Sequence, residues 1–142
     1  MLGKAHTNPI VPVTDLPRAR TFYEGILELT PLDVVPRYGV LTYQIDGGAL
    51  FDIYLRETPT SGDHTAANFY VEDLDGLADR LIERGVTIPR YELPPDSPQT
   101  IDERGVICEN GMPVVFFITD PDGNWLSFSI FRQDIKDALG IA

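Results

Sequence analysis

The chain has 142 residues, enough for one compact domain with a sizeable core, and its 43% hydrophobic and 23% charged content is ordinary for a globular protein. Acidic residues number 22 against 11 basic, a formal net charge of −11, which repels phosphate backbones and argues against a nucleic-acid partner. No apolar run is long enough to cross a bilayer, the first residues lack a signal-peptide layout, and the lone Cys108 forms no internal disulfide, so a cytoplasmic protein without a membrane partner is expected.

From the N-terminus, residues 8–13 (Asn8-Pro9-Ile10-Val11-Pro12-Val13) read as a strand whose prolines suit a sheet edge. Asp15 follows as a helix N-cap, and Leu16, Ala19, Phe22, Tyr23, Ile26 and Leu27 form one apolar stripe behind it. Three strands are expected next, near 30–36, 38–46 and 49–55, the last two joined by Asp46-Gly47-Gly48. Residues 66–71 read as a new strand and Asp73 as a second N-cap. Leu74, Leu77, Ala78, Leu81 and Ile82 give the stripe of a second helix, with Gly85 at its end. One strand is expected near 87–93 within an otherwise irregular flap over 87–111, then strands at 113–119 and 124–130 and a short closing helix in 131–142.

This order repeats. Val13-Thr14-Asp15-Leu16 returns as Val71-Glu72-Asp73-Leu74, an offset of 58 residues. The chain therefore reads as a single α+β domain, 1–142, of two βαβββ modules, approximately 6–56 and 64–130, with a tail at 131–142. Each module alone would leave an apolar sheet face uncovered, so the two are expected to form a cup-shaped mixed sheet.

The two Val-x-Asp-Leu segments, Phe22-Tyr23 on the first helix, and Asp120-Pro121-Asp122-Gly123-Asn124 before the last strand together resemble the glyoxalase/bleomycin resistance protein/dioxygenase, or vicinal oxygen chelate, superfamily. The resemblance spans approximately residues 6–130 and implies that family's fold. It also implies a ligand cup, a homodimer and, in the metalloenzymes, four ligand positions. Counted from the motifs, those positions are Asn8, Asp52, Ala66 and Ser127. Ala66 has no ligand atom and a serine hydroxyl is a poor ligand, so no metal ion and no cofactor is expected.

By strand parity Asp52 and Tyr54 face away from the core residues Phe51 and Ile53. Asn8 with Ile10, Asn68 with Tyr70, and Trp125 with Ser127 and Ser129 likewise share faces. The expected ligand-binding residues are Asn8, Asp52, Tyr54, Asn68, Tyr70, Trp125 and Ser127, an aromatic and polar wall for a small organic molecule; the acidic balance favours a cationic one. No catalytic residue is assigned, and the reading leans to a binder similar to the family's drug-sequestering resistance proteins. The alternative is a lyase, isomerase or dioxygenase holding one divalent metal ion through His6, His64 and Asp52. The two histidines are again 58 apart, but regular strands put each about 7 Å along the chain from the ligand position.

Overall fold

The computed structural model describes residues 1–32, 39–45 and 48–141. They fall into two compact units, Met1–Ala66 with Thr119–Trp125, and Ala67–Ile118 with Leu126–Ala142. The architecture is α+β, and each unit is built on the same strand–helix–strands plan.

In the first unit β1 (Ile10–Val13) leads into α1 (Leu16–Arg20). The Asp15 carboxyl accepts from the Arg18 backbone N–H at 3.0 Å, and Pro17 occupies the first turn, where a missing N–H costs nothing. The helix then widens into a π turn, Thr21–Ile26, with the Leu27 N–H reaching the Phe22 carbonyl five residues back. Phe22 and Tyr23 stay buried through this change, while Leu16, Ile26 and Leu27 are only half-buried. The strands β2 (Thr30–Pro31), β3 (Val40–Ile45) and β4 (Ala49–Leu55) complete a sheet in the order β1-β4-β3-β2. There β1 is parallel to β4 and the other pairs are antiparallel. Residues 33–36 of the strand expected over 30–36, and the first two residues of the Asp46-Gly47-Gly48 turn, lie outside the described residues.

Period-two alternation sorts this sheet into two faces. Val11, Val13, Leu41, Tyr43, Phe51 and Ile53 are buried with Ala19, Phe22 and Tyr23 of the helical segment. The Tyr23 ring lies 5.3 Å from Phe51 and 6.0 Å from Tyr43. Two polar groups are built into this core. Tyr43 donates to Glu24, which also takes a bidentate contact from Arg20. Tyr23 donates to the buried Asp120 carboxyl at 2.6 Å.

The second sheet follows the order β5-β9-β8-β7-β6, from β5 (Thr65–Val71), β6 (Gln99–Ile101), β7 (Ile107–Glu109), β8 (Met112–Thr119) and β9 (Trp125–Ile130). α2 (Leu74–Glu83) is capped by Asp73, whose carboxyl accepts from the Gly76 N–H at 2.9 Å, and buries Leu74, Ala78 and Leu81. Ile82, expected on the same stripe, is 40% exposed. It sits one position past Leu81, beyond the reach of a narrow apolar face. Phe128 stacks between Phe69 and Phe116, at 5.3 and 5.2 Å. α3 (Gln133–Leu139) closes the chain and ends on Gly140 in the left-handed region.

The repeat extends to the backbone. Val13 and Val71, the last residues of β1 and β5, each accept from the N–H that follows the last strand of their module, Arg56 and Phe131 respectively. The two copies part in the flap. No strand forms over 87–93, where Pro89 removes one of the donors a ladder needs and Pro94 and Pro95 follow directly. The extra strands are β6 and β7 instead, joined by a tight turn that Asp102 organises through the N–H groups of Arg104 and Val106. Gly105 is required in this turn. Its φ is +100°, and a Cβ there would lie 2.8 Å from the Ile88 carbonyl oxygen. Among the described residues no helix is long and apolar enough to cross a membrane.

Two predictions follow from the polar groups in the first core. Burial first, and then the adjacent Asp120 carboxyl, push the Tyr23 phenol far above its ordinary range, so it remains a donor throughout the accessible pH range. Tyr23→Phe should lower unfolding free energy by about 1–3 kcal/mol, measured by urea titration, because it removes one donor from a buried acceptor. The hydrogen bonds from Arg20 hold the Glu24 carboxyl below the usual range, against the opposing effect of burial. Its contribution is therefore present above the ordinary glutamate range and disappears as pH falls through the lowered folded-state value. Glu24→Gln should cost about 0.5–1 kcal/mol at neutral pH, and denaturation curves of the two proteins should converge in acid.

Candidate functional site

The face of the first sheet opposite the core carries Asp52. Its neighbours in register are Ile10 on β1 and Thr42 on β3, with Tyr54 and Leu50 two residues away along β4. Ile10 is 51% exposed and Leu50 38%. In this mainly apolar setting the Asp52 Oδ1 is buried and has no hydrogen-bond partner among the described residues. A buried acceptor without a donor costs about 1–3 kcal/mol. Tyr54 lies on the same face, half-buried between Val40 and Pro12 in register. Asn8 precedes β1 and donates through Nδ2 to the Pro9 carbonyl, the same carbonyl that accepts from the Asp52 N–H at 3.0 Å.

On the second sheet the corresponding face is polar. Asn68 and Tyr70 alternate with the buried Ala67 and half-buried Phe69 on β5, and Trp125, Ser127 and Ser129 alternate with the buried Leu126 and Phe128 on β9. Both serines donate to one atom, the Asn68 Oδ1, Ser127 at 2.7 Å and Ser129 at 3.0 Å. The turn-closing bond from the Asp120 N–H to the Asn124 carbonyl, with Phe116 stacked on Phe128, sets Phe117 beside Ser127 on the other flank of β9. Tyr91, from the proline-rich flap, packs its ring 5.9 Å from Phe117. Tyr70 is turned to the tail, stacking on Phe131 at 5.0 Å while remaining 48% exposed. Trp125 is half-buried.

A divalent metal does not fit the donors present at the positions that the family resemblance implies. Asn8 directs its amide to a backbone carbonyl, the Ser127 hydroxyl is committed to Asn68, Ala66 offers no ligand atom, and only Asp52 supplies a carboxyl. His6 and His64 do not complete the set. Both are exposed and precede their strands. The His64 ring rests on its own loop, where a Cβ on Gly62 would lie 3.1 Å from Cε1. Among the described residues no three of His, Cys, Asp and Glu are grouped to hold a metal ion. Burial pushes the Cys108 thiol above its ordinary range, which disfavours a nucleophilic thiolate.

The profile of the Glyoxalase/Bleomycin resistance protein/Dioxygenase superfamily matches residues 5–128. The chain belongs to this superfamily. Solved structures agree on the fold. A glyoxalase/bleomycin resistance protein from Catenulispora acidiphila is 25% identical, with 89% of this chain and 98% of that chain covered and a TM-score of 0.60. A lactoylglutathione lyase from Agrobacterium tumefaciens is 15% identical over 90% and 94% of the two chains, with a TM-score of 0.61. The fosfomycin resistance protein FosX from Listeria monocytogenes is 12% identical over 94% and 98%, with a TM-score of 0.63. No curated protein matches the chain.

Within this superfamily member, sequence parity had identified the faces that carry Asp52, Tyr54, Asn68 and Ser127. Thr42, Phe117 and Tyr91 were missed. Thr42 and Phe117 are brought to those faces by cross-strand register, and Tyr91 by the return of the flap; none of these is written in the local pattern. Ser129 shared the parity of Ser127 and was findable by that signal alone. The orphaned oxygen gives a direct expectation: Asp52→Leu should raise the unfolding free energy by about 1 kcal/mol or more, read as an increased midpoint in urea.

Proposed function

We propose that this chain binds a small organic molecule directly, without a metal ion, in the manner of the drug-sequestering members of its superfamily. The observation that carries the reading is the buried Asp52 Oδ1, an acceptor without a donor among the described residues, on a partly exposed face shared with Ile10, Leu50, Thr42 and Tyr54. A ligand N–H or O–H would supply the missing donor. The net charge of −11 favours a protonated amine over an anion. Tyr54 on the same face offers ring surface and a hydroxyl, and Asn8 lies two residues before Ile10, which starts β1; on the second sheet Asn68, Tyr70, Trp125 and Ser127 are the proposed binding residues of that sheet's own face.

The reading includes a cytoplasmic homodimer with no nucleic-acid or membrane partner. The Listeria relative is named for fosfomycin resistance and the Catenulispora relative for bleomycin resistance, but neither drug is recognised by a residue pattern in this chain.

Isothermal titration of a panel of aromatic and aliphatic amines, beginning with benzylamine, tests the reading. Wild type should bind at least one amine, and Asp52→Leu, though more stable, should bind it at least tenfold more weakly. Stoichiometric iron, zinc, nickel or manganese in protein purified without chelators, lost in His6→Ala or His64→Ala, would overturn the metal-free reading.

A further inference from the structure

The polar face of the second sheet holds an arrangement that the Asp52 reading does not use. An asparagine side chain presents an acceptor at one end and two donors at the other, and a free one rotates to suit its surroundings. Asn68 is not free to do so. Two serine hydroxyls, Ser127 at 2.7 Å and Ser129 at 3.0 Å, converge on its Oδ1. That fixes the carboxamide with its acceptor end engaged and its Nδ2 donors without a partner among the described residues, on a side chain that is exposed. The side chain is thereby converted from an ambivalent group into a donor of set direction.

An aromatic surface lies on the same face. Phe117 sits on β8, on the far flank of β9 from Asn68, and two strand spacings put the two residues about 10 Å apart. Tyr91 of the flap, 55% exposed, packs beside the Phe117 ring at 5.9 Å with the planes 30° apart. Ser127 lies on β9 between Asn68 and Phe117, and its hydroxyl proton is already directed to Asn68.

We infer that the Asn68–Ser127–Ser129 cluster and the Phe117–Tyr91 pair form a recognition surface for an aromatic molecule bearing a hydrogen-bond acceptor, such as a carbonyl. The Asn68 N–H groups meet the acceptor, and the rings of Phe117 and Tyr91 take the flat apolar part. The chemistry is the complement of that at Asp52, which asks for a donor. The inference rests on the proposed small-molecule binding but not on the role of Asp52.

Acetophenone and ethylbenzene separate the two, because they are close in shape and differ by the carbonyl. In ¹⁵N–¹H spectra of the full chain, acetophenone should shift the Asn68 side-chain amide signals and bind roughly five- to tenfold more tightly than ethylbenzene, the range expected for one hydrogen bond. Asn68→Asp, which replaces the donors by acceptors at constant shape, should abolish that preference. Ser129→Ala should reduce it by freeing the amide, and it provides the test if Asn68→Asp fails to fold. Equal binding of the two probes, a preference that survives both substitutions, or no binding of either probe would overturn the inference. The readings fail separately: loss of the acetophenone preference while benzylamine still binds through Asp52 removes this surface alone, whereas no binding by any probe removes both.

Discussion

The Asp120 carboxyl is the interaction on which the first unit depends. It is 4% exposed and collects four donors: the Tyr23 hydroxyl and Asn124 Nδ2 on one oxygen, and the backbone N–H groups of Asp122 and Asn124 on the other. A buried carboxyl is tolerated only when its lone pairs are met in this way. The constraint acts in both directions. The donors hold the turn in one shape, and the turn holds Tyr23 against Tyr43 and Phe51 in the core. Asn124 also donates to the Pro12 carbonyl, where the strand has a proline and an otherwise ordinary acceptor. Asp122 beside it accepts from Thr14 and Arg18.

With that core in place, the other faces of the sheets are released from the work of folding. Alternation sends Phe51 and Ile53 inward, so Asp52 and Tyr54 must point the other way; Leu126 and Phe128 do the same for Ser127 and Ser129. The two modules then differ in what they carry at equivalent places. Ile10, Asp52 and Thr42 in register on the first sheet are matched on the second by Asn68, Ser127 and Phe117. One copy leaves a carboxyl oxygen without a donor among the described residues. The other directs two serine hydroxyls to one asparagine oxygen and so fixes an amide. A duplicated scaffold has thus been given two unlike chemistries with little change in its backbone plan.

Much of this was legible beforehand because it is local. The Val-x-Asp-Leu repeat predicts two capped helices, and both caps form, Asp15 to Arg18 and Asp73 to Gly76. The positions of β4, β8 and β9 follow from alternation and turn residues within a few neighbours of each. The flap resisted the same treatment. The strand expected over 87–93 does not form, and that β6 and β7 form further on depends on β8 offering an edge and on Gly105 approaching the Ile88 carbonyl. The π turn after Arg20 was equally hidden, since the apolar spacing of an ordinary helix accommodates Phe22 and Tyr23 as well.

By itself the sequence determined the superfamily, the doubled module, the helix starts and the faces on which the residues of β1, β4, β5 and β9 lie. All of these rest on periodicity and on hydrogen bonds between residues a few positions apart. Only the tertiary structure decided which polar groups are paired and which are not. The Ser127 and Ser129 hydroxyls reach an asparagine 59 and 61 residues away, Tyr23 reaches an aspartate 97 away, and the Asp52 Oδ1 has no partner among the described residues. Pairing of that kind is a property of register between distant strands, and no local pattern encodes it.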